Sequence, residues 1–162
     1  MKRLAAALEY KVPPPLIGAL CASLMWLICG MPPLTGRPPL TDRPPLLLVP
    51  ALALVVLGLT VDAVGVLSFR RARTTVNPFA PERTVNIVSS GIYRLSRNPM
   101  YLGMACILTG WAVWLWQVQA VLGVVLFVVW ITRFQIIPEE RVLTQKFGTE
   151  YRQYRQRVRR WV

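Results

Sequence analysis

Apolar residues are concentrated in four long runs along the 162-residue chain, and most charged residues fall between the runs. The runs cover residues 15–31, 46–69, 100–116 and 118–137. A helix needs about 20 apolar residues to cross the hydrocarbon core of a bilayer, and about 17 is the lower limit. The pattern predicts an all-α integral membrane bundle of four transmembrane helices, forming one membrane domain over residues 1–162.

The runs also divide this domain into parts. Residues 15–69 are predicted to form a first helix pair, and residues 100–137 a helical hairpin, because only a short polar break separates its two runs. Residues 70–99 form a predicted cytoplasmic loop. In residues 138–162, apolar positions recur every three or four residues between basic ones. This periodicity predicts an amphipathic helix on the cytoplasmic membrane face, which Gly148 can interrupt.

The charge distribution predicts the orientation of the bundle. The chain has 19 Lys and Arg against 7 Asp and Glu, a net charge of +12. With four spans, 17 of the basic residues fall on one side and 2 on the other. Cytoplasmic segments carry the basic excess, so both termini are predicted to be cytoplasmic, and we expect a bacterial inner membrane. Attraction to anionic lipid headgroups accounts for the basic residues and argues against a nucleic-acid partner.

Two residue types restrict the possible chemistry. The chain has no histidine, which excludes histidine general bases and histidine-ligated metals. Its three cysteines, Cys21, Cys29 and Cys106, lie separately inside apolar runs. A zinc site needs clustered ligands, so no metal site is predicted.

Candidate functional residues flank the predicted hairpin. Asn98-Pro99 stands where the loop becomes the third run, and a proline at a helix start leaves the following backbone N–H groups free to meet an anion. After the fourth run, Arg133 and the pair Glu139-Glu140 place a cation and two acids near one mouth of the bundle, a combination that can hold a zwitterionic ligand. Taken singly, each feature is also a common helix entry, interfacial arginine or helix cap.

The second and third runs contain one acidic residue and a series of regularly spaced small residues. Asp62 is the only acid within a run; such residues are candidates for function, but its place near the cytoplasmic end favours a structural pairing with an arginine. Small residues, which let transmembrane helices pack closely, recur every seven positions in the second and third runs. They are Ala51, Gly58 and Gly65, followed by Gly103 and Gly110.

Several motifs follow one another in the C-terminal half of the chain. They are Tyr93-x3-Arg97-Asn98-Pro99-x-Tyr101-x-Gly103, the apolar hairpin, Glu139-Glu140, and Phe147-Gly148-x2-Tyr151-x2-Tyr154. Their order resembles the isoprenylcysteine carboxyl methyltransferase family, which includes related bacterial membrane proteins and, more distantly, the phospholipid N-methyltransferases. The carboxyl methyltransferases typically have His-Pro at the position of Asn98-Pro99, so this motif is more similar to the phospholipid N-methyltransferases.

The resemblance implies transfer of a methyl group from S-adenosylmethionine to a membrane-embedded or amphiphilic acceptor, through a carboxylate, thiol or amine, at the cytoplasmic face. It implies Arg133 and Glu139 as catalytic residues. The implied cofactor-binding residues are Val85, Asn86, Ile87, Val88, Tyr93, Arg97, Asn98, Pro99, Met100, Tyr101, Gly103, Glu139 and Glu140.

Two other functions remain open at the level of sequence. One is an NAD(P)H-dependent membrane reductase, because distantly similar reductases share a comparable C-terminal architecture and such sites need no GxGxxG motif. The other is a non-enzymatic membrane scaffold or transporter subunit. Four spans with one internal acid make a poor ion path, so the transporter hypothesis ranks last.

Overall fold

The computed structural model describes residue 9 and residues 11–30, 44–72 and 86–162. These residues form helices, turns and irregular segments and contain no β-strand, which confirms the all-α prediction for this part of the chain. The main helices are α1 (Pro14–Gly30), α2 (Leu48–Arg71), α3 (Pro99–Leu115), α4 (Val121–Ile131) and α5 (Ile137–Arg157). Short 3₁₀ turns cover Pro45–Leu47, Gly91–Arg94 and Val118–Ala120, and a π-helical turn covers Thr132–Ile136.

The small residues hold α2 and α3 together as an antiparallel pair. A Cβ added to Gly58 would lie 2.5 Å from the carbonyl oxygen of Gly103, and one added to Gly110 would lie 2.7 Å from the carbonyl oxygen of Ala51. The only buried residues of α2 are Ala51, Gly58 and Gly65. The prediction of close packing through these positions is therefore confirmed, and the two backbones come into direct contact at the glycines.

α1 packs on the other side, against the hairpin that α3 and α4 form. The turn between these helices is tight, because Trp116 has a left-handed backbone with φ 55°. The indole N–H of Trp111 donates to the carbonyl of Ala22 at 3.1 Å, and the Gln117 side-chain amide donates to the carbonyl of Cys29 at 2.8 Å. Such bonds between helices fix their mutual position where no water competes.

The helix of the fourth apolar run continues into the polar C-terminal segment. The helical path continues from Val118 through the π-helical turn, which joins α4 directly to α5, as far as the kink at Gly148. Pro138 lies in the first turn of α5, where a missing N–H costs little. Gly148, with φ 54° and ψ −118°, interrupts the helix as expected. Beyond Arg157 the chain becomes extended and returns toward the start of α3.

The surface of the bundle is apolar over most of its length. Two helical stretches, Pro45–Arg71 and Val118–Arg157, are long and apolar enough to cross a membrane, whereas α1 and α3 have 17 residues each. Large side chains such as Leu20, Leu57 and Leu122 are more than half exposed on the helices. A contiguous exposed apolar surface of this kind indicates contact with lipid, so the protein is a membrane protein.

Candidate functional site

A cavity of about 300 Å³ lies between α2, α3 and α5. It is at the end of the bundle where the last turn of α2, the start of α3 and the arginines of α5 meet, which we call the basic end. A cavity of this volume falls within the range of small-molecule sites. Ten of the residues predicted from the sequence line it: Asn86, Ile87, Val88, Tyr93, Arg97, Asn98, Met100, Tyr101, Glu139 and Glu140.

The other predicted residues lie elsewhere. Pro99 is buried in the first turn of α3, and Gly103 packs against Gly58 and Asp62. Arg133 does not line the cavity: it lies in the π-helical turn, its side chain is 44% exposed, and its guanidinium pairs with Glu9 at 3.5 Å. Its predicted catalytic role therefore has no support in the geometry. Val85 lies outside the described residues.

Several lining residues were not predicted as site residues. Phe69, Tyr151 and Tyr154 form part of the wall, and the rings of Phe69 and Tyr93 meet edge to face with centroids 5.3 Å apart. The two tyrosines belong to the motif that carried the family resemblance, which could have marked them. Asp62 also lines the cavity, and it forms no ion pair with any described arginine; Arg73 and Arg83, which follow the same helix, lie outside the described residues, so the structural pairing stays a prediction.

The two adjacent glutamates have different surroundings. Glu140 is buried and binds arginines from three segments: Arg97 at 3.1 Å, Arg155 at 3.8 Å and Arg160 at 2.8 Å. Arg160 uses both Nε and Nη2, one on each carboxylate oxygen, which is the strong bidentate geometry. Glu140 is thus the centre of an ion-pair network, and its oxygens are already engaged by the protein.

Glu139, by contrast, accepts no hydrogen bond and forms no ion pair within the described part of the chain, and it lines the cavity. Burial, with a smaller contribution from the charge of Glu140, raises its pKa from 4.5 to about 7. An acid of this kind can exist in either protonation state near neutral pH, which suits it to bind a cation or to accept a proton.

Arg97 provides the complementary charge. Its side chain is only 8% exposed, and one nitrogen, Nη2, binds Glu140. Nε and Nη1 are buried without a hydrogen-bond partner among the described residues. Unpaired donors on a buried guanidinium are costly, so a ligand carboxylate at this position would satisfy them.

The C-terminal residues hold this arrangement in place. The carbonyl of Arg160 accepts a hydrogen bond from the side-chain amide of Asn98 at 2.9 Å, and the carbonyl of Arg159 accepts one from the backbone N–H of Arg97 at 3.0 Å. The hydroxyl of Tyr154 donates to the carbonyl of Tyr93 at 2.8 Å. Burial raises the pKa of both tyrosines well above the usual range, so they remain neutral donors. The start of α3 is therefore attached to the end of the chain.

Comparisons with known proteins show what this chain is similar to. A family model for phospholipid methyltransferases matches residues 46–150. A probable protein-S-isoprenylcysteine O-methyltransferase from Oryza sativa subsp. indica is 32% identical over 106 residues, which is 65% of this chain and 55% of the rice protein, and its counterpart from subsp. japonica matches equally. An uncharacterized protein of Haemophilus influenzae is 51% identical over 63 residues, 39% of this chain and 100% of that protein. No solved structure matches.

The fold and the site define a helical membrane protein with a charged cavity at one end. The matched residues identify the group: this chain belongs to the phospholipid methyltransferase family, which confirms the resemblance found in its sequence. The matched region spans about half the length of the rice relatives.

Proposed function

We propose that this protein transfers a methyl group from S-adenosylmethionine to a membrane-embedded or amphiphilic acceptor at the cytoplasmic face. The observation that carries the proposal is that two stretches far apart in the chain, Asn98 to Tyr101 and Glu139-Glu140, line the same cavity. Family membership supports methyl transfer, and the cavity supplies a place where donor and acceptor can meet.

The charged groups of the cavity suit the amino-acid part of S-adenosylmethionine. The two unpartnered nitrogens of Arg97 would bind its carboxylate, and Glu139 would bind its ammonium group. The aromatic wall with Tyr93 and Tyr151 offers ring faces to the sulfonium cation and to the adenine ring. Glu140 would act at one remove, by holding Arg97 in position.

When bound, this cofactor supplies a methyl group that its sulfonium has already activated. The protein therefore has to orient the reactants, and orientation alone can contribute several kcal/mol, about 7 or more in favourable cases. The ion pairs of Glu140 and the hydrogen bonds of the C-terminal residues hold Arg97 and Asn98 in fixed positions. Motion of these two side chains would otherwise reduce the rate gain that comes from orienting the reactants. The buried rings of Tyr93, Tyr151 and Tyr154 form an apolar part of the cavity wall.

The proposed topology has four membrane spans, of which α1 and α3 are short. The membrane is a bacterial inner membrane, and both termini lie on its cytoplasmic side. Contacts that bring the basic ends of the segments together support this orientation. Phe69 at the end of α2 contacts Tyr93, Tyr93 contacts Tyr154 of α5, and Glu9 near the N-terminus binds Arg133 and Arg141. The basic ends of four segments thus meet on one side, as the positive-inside rule requires of a cytoplasmic face.

Direct binding of radiolabelled S-adenosylmethionine to purified protein in lipid nanodiscs tests the cofactor assignment. We expect saturable binding that S-adenosylhomocysteine displaces and NADPH does not. The double variant Tyr101→Ala with Glu139→Ala should weaken binding at least about tenfold, because it removes a wall and a charge. Arg133→Gln, which lies outside the cavity, is the matched control and should bind like the wild type.

Two results would contradict the proposal: absence of binding to the wild type, or equal binding by the double variant. Displacement by NADPH would instead favour a reductase. The acceptor is then identified by incubating the protein and labelled cofactor with bacterial lipid extracts and locating the transferred label by mass spectrometry.

A further inference from the structure

The last residues of the chain, 158–162, fold back along the basic end, and we call them the C-terminal clasp. The helix α5 ends at Arg157, and Val158 has an extended backbone, with φ −123° and ψ 132°. The side chain of Val158 is buried together with Tyr151 and Tyr154, which line the cavity. The family model matches only as far as residue 150. The clasp thus lies against the wall of the cavity but beyond the family match.

Main-chain contacts fix the position of the clasp on the start of α3. The backbone N–H of Arg97 donates to the carbonyl of Arg159 at 3.0 Å. The carbonyl of Arg160 accepts one hydrogen bond from the side-chain amide of Asn98 at 2.9 Å and another from the hydroxyl of Ser96 at 3.4 Å. Because both carbonyls are bound, the backbone that carries the Arg160 side chain is fixed relative to Arg97.

The Arg160 side chain extends from this backbone to Glu140. Its Nε donates to Oε1 at 3.1 Å and its Nη2 to Oε2 at 2.8 Å, so one guanidinium spans both carboxylate oxygens. This bidentate geometry fixes the rotation of the carboxylate, which a single ion pair does not. Arg155 reaches the same carboxylate only at 3.8 Å, and its side chain is 39% exposed. Arg160 is therefore the residue that orients Glu140.

The orientation of Glu140 in turn determines that of Arg97. Oε1 of Glu140 also binds Nη2 of Arg97 at 3.1 Å, and both side chains are buried. Because a guanidinium is planar, fixing Nη2 also fixes Nε and Nη1, which have no hydrogen-bond partner among the described residues. Arg97 and Glu140 line the cavity, whereas Arg160 does not. Arg160 can therefore act on a ligand only through these two neighbours.

We propose that Arg160 is a positioning residue for the cofactor: by holding Glu140, it orients Arg97 toward the carboxylate of S-adenosylmethionine. This inference rests on the proposed function and deepens it, because it makes the C-terminal clasp part of the cofactor site. Without Arg160, Glu140 keeps only single contacts and can rotate, so Arg97 loses its fixed orientation. The affinity for the cofactor carboxylate should then fall, whereas contacts with the adenosine part should remain.

Binding of two ligands that differ by one carboxylate tests the proposal. The probes are S-adenosylhomocysteine and its decarboxylated analogue, which keeps the adenosine and ammonium groups, and each is titrated onto the protein in lipid nanodiscs. The wild type should prefer S-adenosylhomocysteine by about tenfold or more, because its carboxylate forms charged hydrogen bonds with Arg97. Arg160→Gln should weaken S-adenosylhomocysteine binding by about tenfold and change analogue binding by less than about twofold. A purely structural residue would weaken the binding of both ligands equally.

The controls separate position from charge and from folding. Arg157→Gln removes an equal charge from an exposed arginine at the end of α5 that forms no ion pair with any described residue, and it should bind both ligands like the wild type. Arg160→Lys is the second variant: it keeps the charge beside Glu140 but cannot span both oxygens, so it should show the same selective loss by a smaller factor. Thermal unfolding of each variant verifies the fold.

The failure of this inference differs from that of the proposed function. If both Arg160 variants bind S-adenosylhomocysteine like the wild type, or lose affinity for the two ligands by the same factor, the positioning role is overturned and the cofactor assignment stands. Equal binding of the two ligands by the wild type also overturns the role, since there would be no carboxylate site for Arg160 to position. Absence of S-adenosylhomocysteine binding to the wild type overturns the proposed function itself.

Discussion

Two regions of the bundle are held together by different physics. In the α2–α3 interface, Gly58 and Gly103 bring two backbones into direct contact, with the carbonyl of Gly58 2.6 Å from the place where a Cβ on Gly103 would stand. At the basic end, Glu140 collects three arginines, and the last residues of the chain bind back onto the start of α3. The first region depends on shape, and the second depends on charge.

The difference explains where functional groups can lie. Close packing leaves no room for a ligand, so α2 and α3 form a rigid wall on which Asp62 and Tyr101 face the cavity. The ion-pair network, in contrast, leaves two nitrogens of Arg97 without a partner at the edge of that cavity. Shape therefore positions the site, and charge gives it affinity for a ligand.

The largest expected effect comes from removing the centre of the ion-pair network. Glu140→Ala leaves the buried Arg97 and the half-buried Arg160 without their shared anion, which should cost about 3–5 kcal/mol of unfolding free energy. Denaturation of the protein in mixed micelles measures this loss. Glu150→Ala, an exposed acid on the same helix, is the matched control and should change stability by less than about 0.5 kcal/mol. Equal stability of the two variants would mean that the network does not hold the basic end.

The packed interface is tested by a single methyl group. Gly103→Ala places a Cβ against Asp62 and the carbonyl of Gly58, so α2 and α3 must separate, at a cost of about 2–3 kcal/mol. Gly18→Ala introduces the same atom in α1, where it meets Phe127 at an ordinary 3.9 Å. Because alanine is the better helix former, this control should leave stability unchanged or raise it slightly. If Gly103→Ala left the unfolding free energy unchanged, the α2–α3 interface would have to be more loosely packed than the contact distances indicate.

The two regions also differ in how far the sequence predicts them. Spacing of seven between Gly58 and Gly65 is a local pattern, and it correctly indicated the packed face of α2. Asn98 and Glu139 were identified by motifs that lie next to the hairpin, and the structure brings both to one cavity. Local patterns of this kind are visible because the residues involved repeat on a helix or mark its start.

Contacts between distant residues were not predictable in the same way. Glu140 was predicted as a cofactor-binding residue, and it lines the cavity. Its pairing with Arg160, twenty positions later, was not predictable, because only the turn after Arg157 brings that arginine back. Arg133 was expected at the site, yet the π-helical turn directs it toward Glu9. Asp62 was expected to meet an arginine, and none of the described arginines reaches it. Charge pairing has no sequence period, so a list of charges does not specify its partners.

Stability should depend on pH through Glu139. Burial and the charge of Glu140 raise its pKa from 4.5 to about 7. An acid whose pKa is higher in the folded state stabilises the fold fully below its unfolded pKa, and this contribution is lost as the pH rises through the folded pKa. The wild type should therefore lose roughly 2 kcal/mol between pH 4.5 and pH 7 relative to Glu139→Gln, a value reduced because the Glu139 side chain is partly exposed. Thermal unfolding of both proteins across this window measures the difference, and Glu150→Gln is the control. Parallel curves would mean that Glu139 titrates normally.

The smallest expected effect concerns the last contact of the chain with the membrane-embedded core. The indole N–H of Trp161 donates to the hydroxyl of Thr132 in the π-helical turn at 3.2 Å. Trp161→Phe keeps most of the apolar contact but removes this donor, so we expect a loss of about 1 kcal/mol and faster hydrogen exchange confined to the C-terminal residues. Trp116→Phe, at an exposed tryptophan on the opposite end of the bundle, should change neither. If Trp161→Phe instead lowered stability as much as Glu140→Ala, the contact of Trp161 with Thr132 would hold the end of the chain as strongly as the ion-pair network does, and the contrast between the two regions would have to be abandoned.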